Sequence, residues 1–410
     1  MKPDYTGYCL SNVPSTVMSL LGVDPERPKL PDDALGGVET AGVENVVLIL
    51  CDGLGFAQFR RHGEGSFFGG LTRKGSVRPM TTVFPSTTAA ALTTVSTGLT
   101  PQEHGLPEWF VYMEEIGEVI VTLPFTRVGD YGRDTLEPVL SAKALFDGKT
   151  VFQRLKTGGV DCMSFTNRTL ANTAYSLVTR AGSEVTPYAS SSDLSVSLRH
   201  FVETAKGRNF IYVYWSMVDT IEHIYGPNGD ESGVEASIIS HALQEGFLER
   251  LDKEAAKNTL ILLTADHGQL QVEPERTLYM NRFMKLARNL QRNSQKKRIP
   301  PWGSARDSYL LVDEGKLDEV KEYLQRKLEG TATVLKPEEA VAEGLFGINS
   351  PSKKFRRRVG NLMILPHDNK TVWYRYKKGE ALDLRGHHGG LTKDEITIPL
   401  AAARASDLQR

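Results

Sequence analysis

Val46-Val47-Leu48-Ile49-Leu50, running straight into Cys51-Asp52-Gly53, is the stretch on which the fold turns. An unbroken apolar run without polar alternation suits a strand covered on both faces, the setting of a parallel sheet. Two more runs have the same character, Phe210 to Trp215 (FIYVYW) and Leu260 to Leu263 (LILL). Each is followed within a few residues by an aspartate: Asp52, Asp219 and Asp266. Between them lie helical spacings such as Ile238, Ile239, Ala242, Phe247 and Leu251. Strand and helix alternating with little hairpin punctuation predicts an α/β domain with a mainly parallel sheet. Ligands of such sheets bind beyond the carboxyl ends of the strands, where these aspartates fall.

After Gln269 the character changes. A basic segment, Lys285 to Arg298, leads into Pro300-Pro301-Trp302-Gly303. A smaller α/β pattern follows, with strand-like Tyr309 to Val312, a helix from Lys316 to Leu328 and strand-like Thr333 to Leu335. Buried-strand character resumes near Gly360 to Leu365. We therefore expect a small inserted α/β domain over 272–358, with 1–271 and 359–410 forming the larger unit. A chain of 410 residues suits that division.

A net charge of -1 gives no general attraction for nucleic acid or an anionic membrane. The opening residues do not read as a signal peptide, and no apolar stretch reaches bilayer length. Cys9, Cys51 and Cys162 stand far apart without a CxxC pair, so neither a disulfide framework nor a thiolate metal site is expected. The expectation is a cytoplasmic protein with reduced thiols and a small-molecule partner.

Four segments carry metal-ligand chemistry. Asp52 ends the first strand. Asp219 and His223 stand four apart, on one face of a helical turn. Asp266-His267-Gly268 closes LILL. Gly386-His387-His388-Gly389 brings imidazoles flanked by glycines, which let backbone approach a crowded centre. Three aspartates and three histidines form a mixed O/N set suited to zinc, manganese or iron. Three carboxylates against two divalent cations leave about one positive charge, which attracts a phosphate, whereas one cation would leave a repelling site. Taken singly, a strand-end Asp is more often a cap and an Asp-x-x-x-His a surface pair; their joint occurrence is what points to a site. The other histidines default to surface or core roles, His104 being a candidate structural hydrogen-bonder.

The segment Phe84-Pro85-Ser86-Thr87-Thr88, an alanine-rich stretch and Thr97-Gly98 read as a capped helix. A helix N-terminus also offers free N–H groups and a positive dipole end to an anion. A hydroxyl there, beside a metal ion, ionises more readily and can attack phosphorus.

In these residues the chain resembles the type I phosphodiesterase and nucleotide pyrophosphatase branch of the alkaline phosphatase superfamily, which also includes phosphonoacetate hydrolase. The order of Asp, nucleophile with Thr-Gly, His-Gly, Asp-x-x-x-His, Asp-His-Gly and a late His-Gly runs across most of the chain. The resemblance implies an alkaline-phosphatase-like three-layer sandwich and two divalent ions, zinc foremost with manganese or iron as alternatives. It implies one site of Asp52, Asp266 and His267 and another of Asp219, His223 and His388. It points to Thr88, nine residues before Thr97, as nucleophile, with Thr87 and Thr82 as alternatives. Nucleotide pyrophosphatases carry an asparagine shortly after the His-Gly; here Leu106-Pro107-Glu108-Trp109 stands instead, and Asn167 is a substitute to test. The implied activity is hydrolysis of phosphate diesters through a phosphothreonine, on a small phosphate ester such as a nucleotide. A monoesterase or phosphonate hydrolase, a phosphomutase, and a metal- or polyanion-binding protein without turnover are the alternatives. Trp109, Phe110 and Tyr112 suit either a stacking pocket or a half-buried strand. The runs Lys296-Lys297-Arg298 and Lys353 to Arg358 read as solvated linker and domain junction.

Overall fold

The computed structural model describes residues 1–62, 66–130 and 132–409. Its centre is a seven-stranded sheet built from β1 (Asn45–Cys51), β2 (Ser76–Thr81), β3 (Asp161–Asn167), β4 (Glu184–Tyr188), β5 (Asn209–Trp215), β6 (Thr259–Thr264) and β7 (Thr397–Arg404). The order across the sheet is β2-β7-β6-β1-β5-β3-β4. β1 pairs in parallel with β5 and β6, and β3 in parallel with β5 and β4. β7 runs antiparallel to both of its neighbours. Every residue of β1, β5, β6 and β7 is buried, which is why these runs show no polar alternation. The mainly parallel α/β architecture expected from VVLIL, FIYVYW and LILL is present.

Register fixes where the chemistry can be. Cys51 stands opposite Trp215 and Leu50 opposite Thr264, so β1, β5 and β6 finish side by side. The chain leaves all three at one edge of the sheet, and Asp52, Asp219 and Asp266 are released there.

A second sheet has four antiparallel strands in the order Trp302–Gly303, Ser308–Leu310, Leu362–Pro366 and Ala332–Leu335. The helix Leu317–Lys327 buries Val320 and Leu324 against Leu310, Val334 and Ile364. The last strand of this sheet, Leu362–Pro366, lies past residue 358, where the sequence had placed the return to the larger unit. An apolar run of five reads alike in either sheet, because periodicity reports burial and not the pairing partner.

Two buried arginines tie this smaller sheet to the rest. Arg306 is fully buried, and its Nε and Nη2 donate to the two carboxylate oxygens of Glu395 at 2.8 and 3.0 Å. Glu395 also accepts from the N–H groups of Gly390 and Thr392, so the pair clamps the loop that carries His388. Arg358 ends a run read from sequence as a charged junction, yet it is 2% exposed. Its guanidinium donates to the carbonyl oxygens of Gly105, Leu145 and Ala144, joining three backbone acceptors through one side chain.

Candidate active site

Asp52 follows β1 directly, its N–H donating to the Trp215 carbonyl at 2.8 Å. The Asp52 carbonyl in turn accepts from the N–H of Asp219 at 3.0 Å. This approach requires Gly53: its φ is 76°, and a Cβ there would lie 2.8 Å from the Asp219 Cα. Helix α2 (Met217–Tyr225) then sets His223 one turn beyond Asp219, with His223 Nε2 3.3 Å from Asp219 Oδ1. Asp266 and His267 follow β6. His388 arrives from the short strand Gly386–His387, which pairs with Leu270–Gln271. Gly386 is also forced, because a Cβ would sit 2.3 Å from the Glu222 carbonyl oxygen.

The six side chains converge. His267 Nε2 is 3.4 Å from Asp52 Oδ1 and 3.3 Å from Asp266 Oδ2. His388 Nε2 is 3.6 Å from Asp219 Oδ1, and the His267 and His388 rings stack with centroids 3.5 Å apart. Ligand atoms of Asp219, His223 and His388 lie within 4.8 Å of one another, as do those of Asp52, Asp219 and His267. Asp219 therefore reaches both groups rather than one.

The outer edge of each imidazole settles its tautomer. Nδ1 of His223, His267 and His388 faces the carbonyl oxygen of Gly386, Gly268 and Ser86, at 2.7, 3.2 and 2.9 Å respectively. A carbonyl can only accept, so each Nδ1 carries the proton and each Nε2 lone pair faces inward. Inward-facing lone pairs thus meet carboxylate oxygens, acceptor against acceptor. Asp52 Oδ1 and Asp266 Oδ2 are buried without a hydrogen-bond partner. Protonating His267 or His388 is no remedy, since burial lowers His267 to about 4 and His388 to about 3. Burial pushes Asp266 up to about 6, and burial together with the charge of Asp266 raises Asp52 well above the carboxylate range. A buried donor set whose carboxylates push one another toward the protonated form fits divalent cations, which supply the positive charge that would let them ionise together. Two further groups fix the carboxylates: the Tyr214 hydroxyl donates to Asp52 Oδ2, and the Gln269 amide donates to Asp219 Oδ1.

Helix α1 (Thr88–Thr97) begins against this cluster and ends at Gly98, whose φ is 68°. Thr87 is its N-cap, accepting from the Ala90 N–H at 3.5 Å and donating to the Pro107 carbonyl at 3.3 Å. The Thr82 hydroxyl donates to the Asp266 carbonyl. Thr88 differs from both, for its Oγ1 lies 3.0 Å from His267 Nε2. His104 is a structural hydrogen-bonder: Nδ1 accepts from the Leu106 N–H at 3.1 Å, and Nε2 lies 3.2 Å from Thr94 Oγ1.

Residues 46–391 match the family model for type I phosphodiesterase/nucleotide pyrophosphatase. The chain belongs to this family. It is accordingly a hydrolase of phosphoester bonds. Murine ectonucleotide pyrophosphatase/phosphodiesterase 5 shares the fold with a TM-score of 0.65 at 20% identity, over 87% of each chain. An inactive Thr→Ala variant of that protein, in complex with AMP, gives 0.64 at 19% over the same shares. Phosphonoacetate hydrolase from Sinorhizobium meliloti, in complex with phosphonoformate, gives 0.62 at 15% over 88% of this chain and 93% of its own. No curated protein matches the chain.

In this family member two cavities meet at Thr88, and both reach Asp219 and Trp109. One of about 300 Å³ is lined by Asn167, Tyr175 and Arg180. The other, about 410 Å³, is lined by Glu108, Phe110, Trp373 and Leu382. The aromatic run thus divides. Trp109 and Phe110 face cavities, while Tyr112 packs in the core against Trp302 with ring centroids 5.6 Å apart.

Glu108 and Asp307 escaped the sequence reading. They are fully buried, one from each side of the junction, and near enough for the charge of Asp307 to act on Glu108. Glu108 is held far above the carboxylate range by burial and then by Asp307, and burial pushes Asp307 up to about 6. Nothing in the sequence pairs these positions, which are 199 residues apart by number (307 − 108). Between about pH 4 and pH 6 the unfolded chain has already released the Asp307 proton that the folded protein retains. Its contribution to stability is therefore full below about pH 4 and lost as pH rises through about 6. Asp307→Asn, which cannot ionise, should lose less melting temperature than wild type over that window. Parallel curves would show that Asp307 titrates normally.

Proposed function

We propose that this chain is a phosphodiesterase that uses Thr88 as nucleophile between two divalent-cation sites, with a small phosphate diester such as a nucleotide ester as substrate. The observation that carries the reading is the Thr88 hydroxyl, 3.0 Å from an inward-facing imidazole nitrogen where six ligand side chains converge. Asp52, Asp266 and His267 would hold one cation and Asp219, His223 and His388 the other, with Asp219 near enough to touch both. When bound, zinc, manganese or iron supplies charge neutralisation for the phosphoryl oxygens and acidifies the hydroxyl.

The remaining work belongs to the chain. Thr88 Oγ1 gives up its proton and bonds to phosphorus as the ester P–O bond breaks and the alcohol leaves with a proton; water then cleaves the phosphothreonine, releasing the phosphate monoester and restoring the hydroxyl. The start of α1 presents N–H groups and its positive dipole end toward the developing charge. Gly105, pinned by Arg358, holds the turn from which Trp109 and Phe110 line the cavities. The inactive Thr→Ala variant of the murine neighbour supports a threonine in this role. Three buried, unpaired thiols suit a reducing compartment, and we place the protein in the cytoplasm on that chemistry. No helix among the described residues is long and apolar enough to cross a membrane.

Phosphonate hydrolysis is the second reading, favoured by the phosphonoacetate hydrolase neighbour and by Glu108-Trp109 standing where nucleotide pyrophosphatases carry asparagine. A nitrophenyl nucleotide diester, a bis-nitrophenyl ester, a monoester and a phosphonate, assayed side by side, separate the readings. We expect the highest kcat/KM on a diester. Preference for the phosphonate supports the second reading, and no turnover on any of them supports a binding protein.

A further inference from the structure

Arg180, which closes the helix Ala174–Thr179, is only 6% exposed. No carboxylate pairs with it among the described residues, and its Nε is buried without a partner. What it touches is a ring: the guanidinium carbon stands 4.3 Å above the centroid of Tyr212. A ring face returns only part of the hydration a buried cation loses, so the position is built for something else. The accessible remainder of Arg180 lines the same cavity as Thr88 and Asp52. Asn167 lines it too, with its amide oxygen occupied by the Thr169 N–H at 3.0 Å and hydroxyl at 2.8 Å. That arrangement leaves its NH₂ group, which makes no hydrogen bond among the described residues, as a second donor.

We propose that Arg180 and Asn167 form an oxyanion subsite beside Thr88, accepting a phosphate- or phosphonate-class group through the guanidinium and the Asn167 amide. The subsite rests on the proposed catalytic reading only for its role in turnover; its affinity for an anion does not depend on that reading. The group it holds is either the phosphoryl being transferred or a second anionic group on the same substrate. Both present the same oxygens, and kinetics tells them apart.

Inorganic phosphate is the probe, titrated calorimetrically into the cation-loaded protein. Arg180→Met should weaken phosphate binding roughly 10- to 100-fold with cation content unchanged, since a charge-assisted hydrogen bond is lost. Arg180→Lys should restore part of the affinity by keeping the charge without the planar fork. Asn167→Ala should cause a smaller loss, and its exposed amide makes it the safer variant for folding. An equal drop in kcat/KM for a singly charged diester and for one bearing an extra phosphate assigns the subsite to the transferred group. A drop confined to the second substrate assigns it to the additional anion. Unchanged phosphate affinity in both Arg180→Met and Asn167→Ala overturns the proposal. So does loss of cations from Arg180→Met, which would make Arg180 a counter-charge to the aspartates. Failure of the catalytic reading looks different: wild type would turn over no ester, yet phosphate affinity would still fall on substitution of Arg180.

Discussion

Thr88→Ala protein should fold, bind its cations and lose turnover by about 10³-fold or more, the scale expected when a covalent nucleophile is removed. The substitution is mild for the fold. Thr88 is the first residue of α1, alanine is the better helix former, and the cap contributed by Thr87 is untouched. Among the described residues its side-chain hydrogen bond is with His267 Nε2, an atom facing the cluster rather than the core. Cation content by elemental analysis and melting temperature should match wild type, while kcat/KM collapses on every substrate. Activity within a few-fold of wild type would move the nucleophile elsewhere, with Thr87 the first residue to examine.

Stripping divalent cations should abolish activity, and adding back zinc or manganese should restore it. Without cations, inward lone pairs of three imidazoles face three aspartate side chains in a largely buried cluster, and two of the aspartate oxygens have no hydrogen-bond partner among the described residues. The stripped protein should also melt several degrees lower, the linkage expected when a bound ligand is removed. His388→Ala should need more metal for half-maximal rescue than wild type, because it removes one ligand and leaves the others in place. Full activity in excess chelator would refute a two-cation mechanism outright.

Much of this site was legible before folding was considered. Asp52, Asp219 and Asp266 could be placed at one edge of the sheet because parallel strands end together and ligands gather past their carboxyl ends. Asp219 and His223 share a face by helical spacing alone. Thr88 was legible as the start of a capped helix, and family resemblance put it ahead of Thr87 and Thr82 without excluding them. Other features were not. Glu108 and Asp307 are ordinary acids in sequence and became a pair of buried, electrostatically linked carboxyls only when the smaller sheet folded onto the larger one. Arg358 read as one more charge in a basic run, yet its role is set by three carbonyl groups contributed from 144–145 and Gly105. Leu362–Pro366 carried the correct strand pattern and was placed with the wrong sheet.

The amino-acid sequence by itself determined the α/β class, the strand ends and the kind of atoms offered to a cation. These follow from periodicity, local sterics and donor chemistry, all short-range properties of the chain. Tertiary structure alone decided that Asp219 reaches both groups of ligands, that the three imidazoles turn their lone pairs inward, and that Arg180 meets no carboxylate among the described residues. Each of these depends on the distance between residues far apart in sequence, and that distance is set by how the sheets and helices pack.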